Sequence, residues 1–286
     1  MDGERAEGGT IYQYVRGKLL TRLLDGTYPL NARLPSQREL ATEFGVARDT
    51  VQNVLRELAS QGWITSQPGS GTRVIRAQSP IASPVGRRIS LEQLLDEAFQ
   101  KPEVALDVCT LTAESLALHI RRQDEHIRQG TRPGLERITL RLLLPATDLQ
   151  KQPYPKAVNE EDGEAVWERH LVTMRSSTTS IKHYLYALRA EQLVQDVNLQ
   201  IRYARFTPTA KLFLVNGSVM LSAPYVPVRR PVYLEAQDKL VDAIDASSVG
   251  VPFTYDAEDG DPHSPASEKV ANWRAWFNET WDLLAE

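Results

Sequence analysis

Apolar residues recur at helical spacing from Ile11 to Leu24, where Ile11, Tyr12, Val15, Leu19, Leu20, Leu23 and Leu24 share one face, and Asp25-Gly26 with Pro29 stops the pattern. Ser36-Gln37-Arg38-Glu39 has the form of a capping box, in which hydroxyl and carboxylate satisfy each other's backbone N–H groups. The short helix it starts has Leu40, Ala41 and Phe44 as its apolar side and ends at Gly45. A second helix follows Val46, turns Val51, Val54, Leu55 and Leu58 inward and closes at Gly62. Trp63–Thr65 and Arg73–Ile75 read as two short strands around the permissive turn Pro68-Gly69-Ser70-Gly71.

Between Ala77 and Ser90 the chain mixes Pro, Ser and Gly without an apolar period, the signature of a linker. The domains expected are therefore 1–76, a linker over 77–90, and 91–286. Beyond the linker the pattern predicts a helix (91–99), a strand (104–110), a helix (112–129), a strand (138–144), a surface loop (146–163) and a long helix (164–192). Four strands follow, at 197–203, 210–215, 219–225 and 228–234, and a terminal helix at 267–284 carries Val270, Trp273, Phe277, Trp281 and Leu284 on one side. The alternation of strands and helices points to a parallel arrangement with crossover helices. The fold class expected is α+β: an N-terminal winged helix-turn-helix joined to a C-terminal α/β effector or dimerisation domain with a mixed sheet.

Composition narrows the chemistry. A chain of 286 residues, 42% apolar, can bury a substantial core in two domains. No stretch approaches the roughly 20 apolar residues that span a bilayer, and the polar start MDGERAEGGT is unlike an export signal, so a cytoplasmic protein without membrane contact is expected. The single cysteine, Cys109, lies in an apolar run and reads as a buried, reduced thiol, and five scattered histidines form no metal cluster. No metal, cofactor or catalytic residue is expected. Residues 1–76 carry ten Lys and Arg against eight Asp and Glu, whereas the remainder of a chain of net charge −4 is acidic, so a polyanionic partner belongs to the first part.

Two helices joined by a tight turn, preceded by a helix and followed by a hairpin, form a winged helix-turn-helix. LPSQRELATEFGVARDTVQNVLRELASQGWITSQPGSGTRVI resembles the DNA-binding domain of the GntR family of bacterial transcription regulators over about residues 11–76. With the apolar residues of the second helix buried, its other face presents Arg48, Asp49, Gln52, Asn53 and Arg56. Arg can bridge guanine O6 and N7, and Gln or Asn adenine N6 and N7, each worth about 1–3 kcal/mol of discrimination. The resemblance implies that Arg38 and Arg48 touch DNA, that Thr50 contacts phosphate, and that the wing tip from Gly69 through Gly71 to Thr72 reaches the minor groove. Ser36, Gln52 and Asn53 complete the candidate DNA-binding set. Ala47 stands where the family commonly has Ser, and Gln52 where Arg is frequent, so the operator read differs from family habit. For Arg56 and Arg73, a solvated surface charge and a phosphate contact are equally weighted.

In the C-terminal part, Thr209-Ala210-Lys211 followed by Asn216 faintly resembles the phospholipase D motif, whose His nucleophile and Asp are replaced here by Thr209 and Asn216. An ordinary hairpin turning at Asn216-Gly217 is the competing account. If the resemblance holds, Thr209, Lys211 and Asn216 become a candidate pocket for an anionic effector. Arg202 and Arg205 suit a charge-blunted edge strand. Asp256, Glu258, Asp259 and Asp261 form an acidic loop without calcium-loop spacing. The function expected is a GntR-type regulator, a repressor by family habit, binding a double-stranded, pseudo-palindromic DNA operator as a homodimer and sensing a small-molecule effector. The alternatives are a phosphodiesterase-like enzyme fused to a DNA-binding module, or a protein-interaction adaptor.

Overall fold

The computed structural model describes residues 11–12, 14–20, 22–23, 27–28, 31–67, 71–75, 89–132, 134–149, 152–247 and 253–286. They divide into two compact units: one from the described parts of 1–79, 154–169 and 226–250, the other from those of 80–153, 170–225 and 251–286. Two segments within the expected C-terminal domain thus belong with the winged helix. Most of the expected linker lies outside the described residues. Its last two positions are structural: Ile89 is buried, and Ser90 caps the next helix through a capping box with Gln93.

In the first unit, α1 comprises the helical residues 11–12, 14–20 and 22–23. It is followed by α2 (Gln37–Phe44), α3 (Arg48–Ser60) and the hairpin β1 (Ile64–Gln67) and β2 (Gly71–Val74). The Ser36 capping box is present, and Gly45 ends α2 at φ 66°, where a Cβ would be strained. Val15 and Leu19 of α1, Leu40 of α2, and Val51, Val54 and Leu58 of α3 are fully buried in one cluster. Burying each such side chain contributes about 1.5–3 kcal/mol. The added segments contribute a three-stranded antiparallel sheet in the order β5 (Lys156–Ala157), β10 (Lys239–Ser247), β9 (Val226–Leu234). Ala157, Val232, Leu234, Val241 and Ala243 form its own apolar face with Val166, while Tyr233 joins the winged-helix cluster.

The second unit is built on α4 (Leu91–Ala98), β3 (Glu103–Cys109), α5 (Glu114–Arg128), β4 (Arg137–Pro145), α6 (Gly163–Ala190, from His170 onward), β6 (Asp196–Ala204), β7 (Ala210–Val215), β8 (Val219–Pro224), β11 (Thr254–Ala257) and α7 (Pro265–Leu283). Its sheet has the order β11-β8-β7-β3-β4-β6, with β3, β4 and β6 mutually parallel and the rest antiparallel. This is the expected α+β class with a mixed sheet. Alternation along β7 sends Phe213 and Val215 into the cluster with α4, α5 and α6, and Leu212 and Leu214 into the cluster with Val270, Phe277 and Trp281 of α7. The edge strand β6 is covered near its end: Ala204 bridges to Ala285, and Arg202 donates to the Trp281 carbonyl at 2.8 Å.

β10 and β11 were not expected from the pattern, and the predicted loop at 146–163 contains β5. Asp256 of the acidic loop lies in β11, and Asp259 accepts from the Ser264 and Ser267 hydroxyls at 2.9 and 3.1 Å. Among the described residues no helix is long and apolar enough to cross a membrane, and no group of three His, Cys, Asp or Glu is placed to hold a metal ion.

Candidate nucleic-acid interface

The helix-turn-helix leaves one polar face open. Arg38 of α2 and Arg48 and Gln52 of α3 are exposed, and Thr50 is half-buried. Arg48 Nε donates to Gln37 Oε1 at 3.3 Å, so Arg48 spans from α3 to the start of α2. Ser36 is used structurally: its hydroxyl accepts from Glu39 N–H at 3.3 Å, and its own N–H donates to Glu39 Oε2 at 2.7 Å. These bonds, the backbone one first, hold the Glu39 carboxyl below its ordinary range. At Ala47 the backbone is extended as an N-cap requires, but no side chain accepts from the first turn of α3. The positive end of the α3 dipole lies beside Arg48 without a side-chain cap from Ala47.

Asn53 differs from the other α3 candidates. It is half-buried, its Oδ1 accepts from Arg56 Nη1 at 3.1 Å, and its side chain hydrogen-bonds with the Tyr233 hydroxyl. Its amide is engaged by the protein itself.

At the wing, Gly69 lies outside the described residues. Gly71 adopts φ +77°, and a Cβ there would stand 2.7 Å from Arg33 Nε, so the absence of a side chain lets the Arg33 guanidinium cross the wing strand. Thr72 is half-buried and its hydroxyl shares a 2.8 Å hydrogen bond with Ser66. The segment before α2 extends the wing: Arg33 bridges to Arg73, and Leu34 N–H donates to the Thr72 carbonyl at 2.9 Å. Arg33 and Arg73 are both exposed, which makes Arg33 a candidate phosphate contact that the sequence reading missed. The signal was Asn31-Ala32-Arg33-Leu34, four residues between two helices with one buried apolar position.

Behind this face lies a charge with no solvent exposure. Glu57 Oε1 accepts from Arg16 Nε at 3.0 Å, Gln61 Nε2 at 2.7 Å and Arg169 Nη2 at 2.8 Å, and Oε2 accepts from the Tyr12 hydroxyl. Burial pushes its pKa up, but Arg16, Arg169 and Arg230 outweigh burial and hold it down at about 2. The Tyr12 hydroxyl is pushed upward by burial and by the Glu57 charge. Arg169 also donates to the Tyr233 carbonyl at 3.0 Å, and Tyr233 packs on Tyr12 with ring centroids 4.6 Å apart. The recognition helix is thereby held by α1 on one side and by β9 on the other.

The candidate effector residues do not converge. Thr209 is exposed at the start of β7. Lys211 points to the opposite sheet face from Leu212, with Nζ 3.4 Å from Ser115 Oγ and over the Tyr225 ring; burial pushes its pKa down to about 8. Asn216 sits at the far end of β7, its Oδ1 accepting from Ala105 N–H at 2.8 Å. Asn216 and Gly217 have φ 50° and 66°, and Ser218 N–H closes the turn on the Val215 carbonyl at 3.2 Å, the geometry of a type I′ hairpin turn. Six strand residues separate Thr209 from Asn216, so the phospholipase D-like grouping is replaced by the hairpin.

The sequence profile of "Bacterial regulatory proteins, gntR family" matches residues 11–74. The chain is 32% identical over 108 residues to the histidine utilization repressor of Pseudomonas putida, covering 37% of this chain and 41% of that protein. It is 47% identical over 47 residues to the fatty acid metabolism regulator protein of Haemophilus influenzae, covering 16% and 20%. Among solved structures, the N-terminal domain of AraR is 31% identical, with 22% of this chain and 91% of that one covered and a TM-score of 0.22. The chain thus spans about two fifths or less of the length of these two curated relatives. Capping box, recognition helix, wing and sequence agree: residues 11–74 are a helix-turn-helix domain of the gntR family of bacterial regulatory proteins.

Proposed function

We propose that this chain is a cytoplasmic transcription regulator that binds a double-stranded, pseudo-palindromic DNA operator as a homodimer and acts as a repressor, with the second unit as its ligand-sensing part. The observation that carries this reading is the exposed face formed by Arg38, Arg48 and Gln52, set on a recognition helix whose other sides are fully engaged. In this reading the N-terminal end of α3 enters the major groove, where Arg48 and Gln52 read base edges. Arg38 and Thr50 contact phosphates, joined by the open N–H groups of the α3 first turn. Arg33, Thr72 and Arg73 bring the wing to the adjacent backbone. Two-fold symmetry places half-sites about 34 Å or a multiple apart.

The test is selection of bound duplexes from a random pool by the purified protein, then titration of the selected site at several salt concentrations with wild type and Arg48→Ala. A two-half-site sequence whose binding weakens steeply with salt and is weakened in the variant is expected. Enrichment of no sequence, or binding indifferent to salt and to Arg48, would sink the proposal and favour the adaptor reading.

A further inference from the structure

On the α7 side of the second unit's sheet lies a cavity of about 450 Å³, within the range of small-molecule sites. Phe206, Trp273 and Trp276 wall it, Cys109 lies at its base, and Thr209 and Asn272 border it. Two observations define its guest. The aromatic walls meet edge to face: Phe206 and Trp276 at 6.2 Å and 75°, Trp273 and Trp276 at 5.4 Å and 78°. The cavity is thus lined by apolar ring surface, which suits a flat aromatic guest. Trp276 lines the cavity and is 37% exposed.

The second observation is charge. Among the described residues no carboxylate, ammonium or guanidinium lines the cavity, and the Cys109 thiol there is pushed up to about 12 by burial and stays neutral. An anionic guest would lose hydration without a counter-charge, and a cationic one would have only the ring faces to offset that loss. Lys211, the cation expected to mark an anion site, is on the opposite face of β7 with its ammonium toward Ser115. Thr209 and Asn272 supply amide and hydroxyl groups at the border, suited to a single neutral donor or acceptor on the guest.

We propose that this cavity binds a neutral, planar aromatic small molecule bearing one hydroxyl or similar polar group. The inference uses the second unit alone, so it stands or falls separately from DNA binding.

The probe is 2-naphthol, titrated into the full chain by calorimetry beside two isosteres, 2-naphthoate and 2-naphthyltrimethylammonium. The neutral compound is expected to bind at least about tenfold more tightly than either ion. Trp276→Ala, at a partly exposed site, is expected to weaken 2-naphthol by about tenfold or more, and Thr209→Trp, which fills the border from an exposed position, to abolish binding. Circular dichroism establishes that both variants fold, and one folded variant suffices. Absence of binding up to millimolar probe, equal or tighter binding of the anion or the cation, or indifference to the substitutions would each overturn the proposal.

Discussion

Arg169 donates to Glu57 at 2.8 Å across 112 positions of sequence, and the acceptor has no solvent exposure. A buried carboxylate is tolerable only because Arg16, Gln61 and Tyr12 complete its shell. The pair connects the recognition helix to the segment before His170, within one compact unit.

Glu57→Gln leaves the arginines buried without their counter-charge and is expected to cost on the order of 3 kcal/mol in a denaturant titration at pH 7. Because the folded pKa is held at about 2, below the ordinary carboxylate value, the stabilisation is complete above the ordinary value and is lost as pH falls toward about 2. Stability of the wild type should therefore decline over that window more steeply than stability of the variant. Parallel pH profiles would refute the assignment.

Ala47 has the extended backbone of an N-cap but no acceptor. Ala47→Ser is expected to stabilise the chain by about 1 kcal/mol, read as a rise in denaturation midpoint at unchanged slope. A lowered midpoint would mean that the serine finds no N–H of α3.

Arg33 and Arg48 should separate in their effects on DNA. Arg33→Ala is expected to weaken all duplexes alike and to reduce the salt slope by about one, whereas Arg48→Ala should relax preference at one base position of each half-site. Footprints and affinities on a panel of single-base variants distinguish the two.

Lys211 carries a cost at neutral pH, since its charged form is disfavoured in the fold. A folded pKa depressed to about 8 contributes stability that is present above the ordinary lysine value and lost as pH falls through 8. Lys211→Met is expected to be more stable than wild type at pH 7, with the advantage vanishing as pH rises toward 10.5. A destabilised variant at pH 7 would show that the Ser115 and Glu114 interactions outweigh burial.

The helix-turn-helix was legible because each of its signals is local: the Ser36-Glu39 capping box, the αL glycine at 45, and the spacing of Val51, Val54 and Leu58. Parallel pairing of β3 and β4 followed from apolar runs separated by an amphipathic helix. What escaped was non-local. Residues 239–247 alternate only weakly, because Asp242 and Asp245 interrupt the run, and their meaning appears only when Arg229 and Arg230 of β9 lie across from them. Glu57 stands among several polar positions of α3, and nothing nearby in sequence announces Arg169 or Arg230. The motif residues Thr209, Lys211 and Asn216 misled for the opposite reason: they are close in sequence, but Thr209 precedes β7 and Asn216 follows it, so the length of an extended strand holds them apart.

The three-part make-up of the winged-helix unit also sets an order of events during synthesis. Its helices leave the ribosome long before Arg169, and longer before Tyr233, has been translated. Until then Glu57 can draw only on Tyr12, Arg16 and Gln61, and Asn53 lacks the hydroxyl that later engages it. A nascent chain therefore presents α3 in an unfinished setting, and the finished one arrives only when β9 emerges, so premature termination before Val226 would release α3 without its permanent brace.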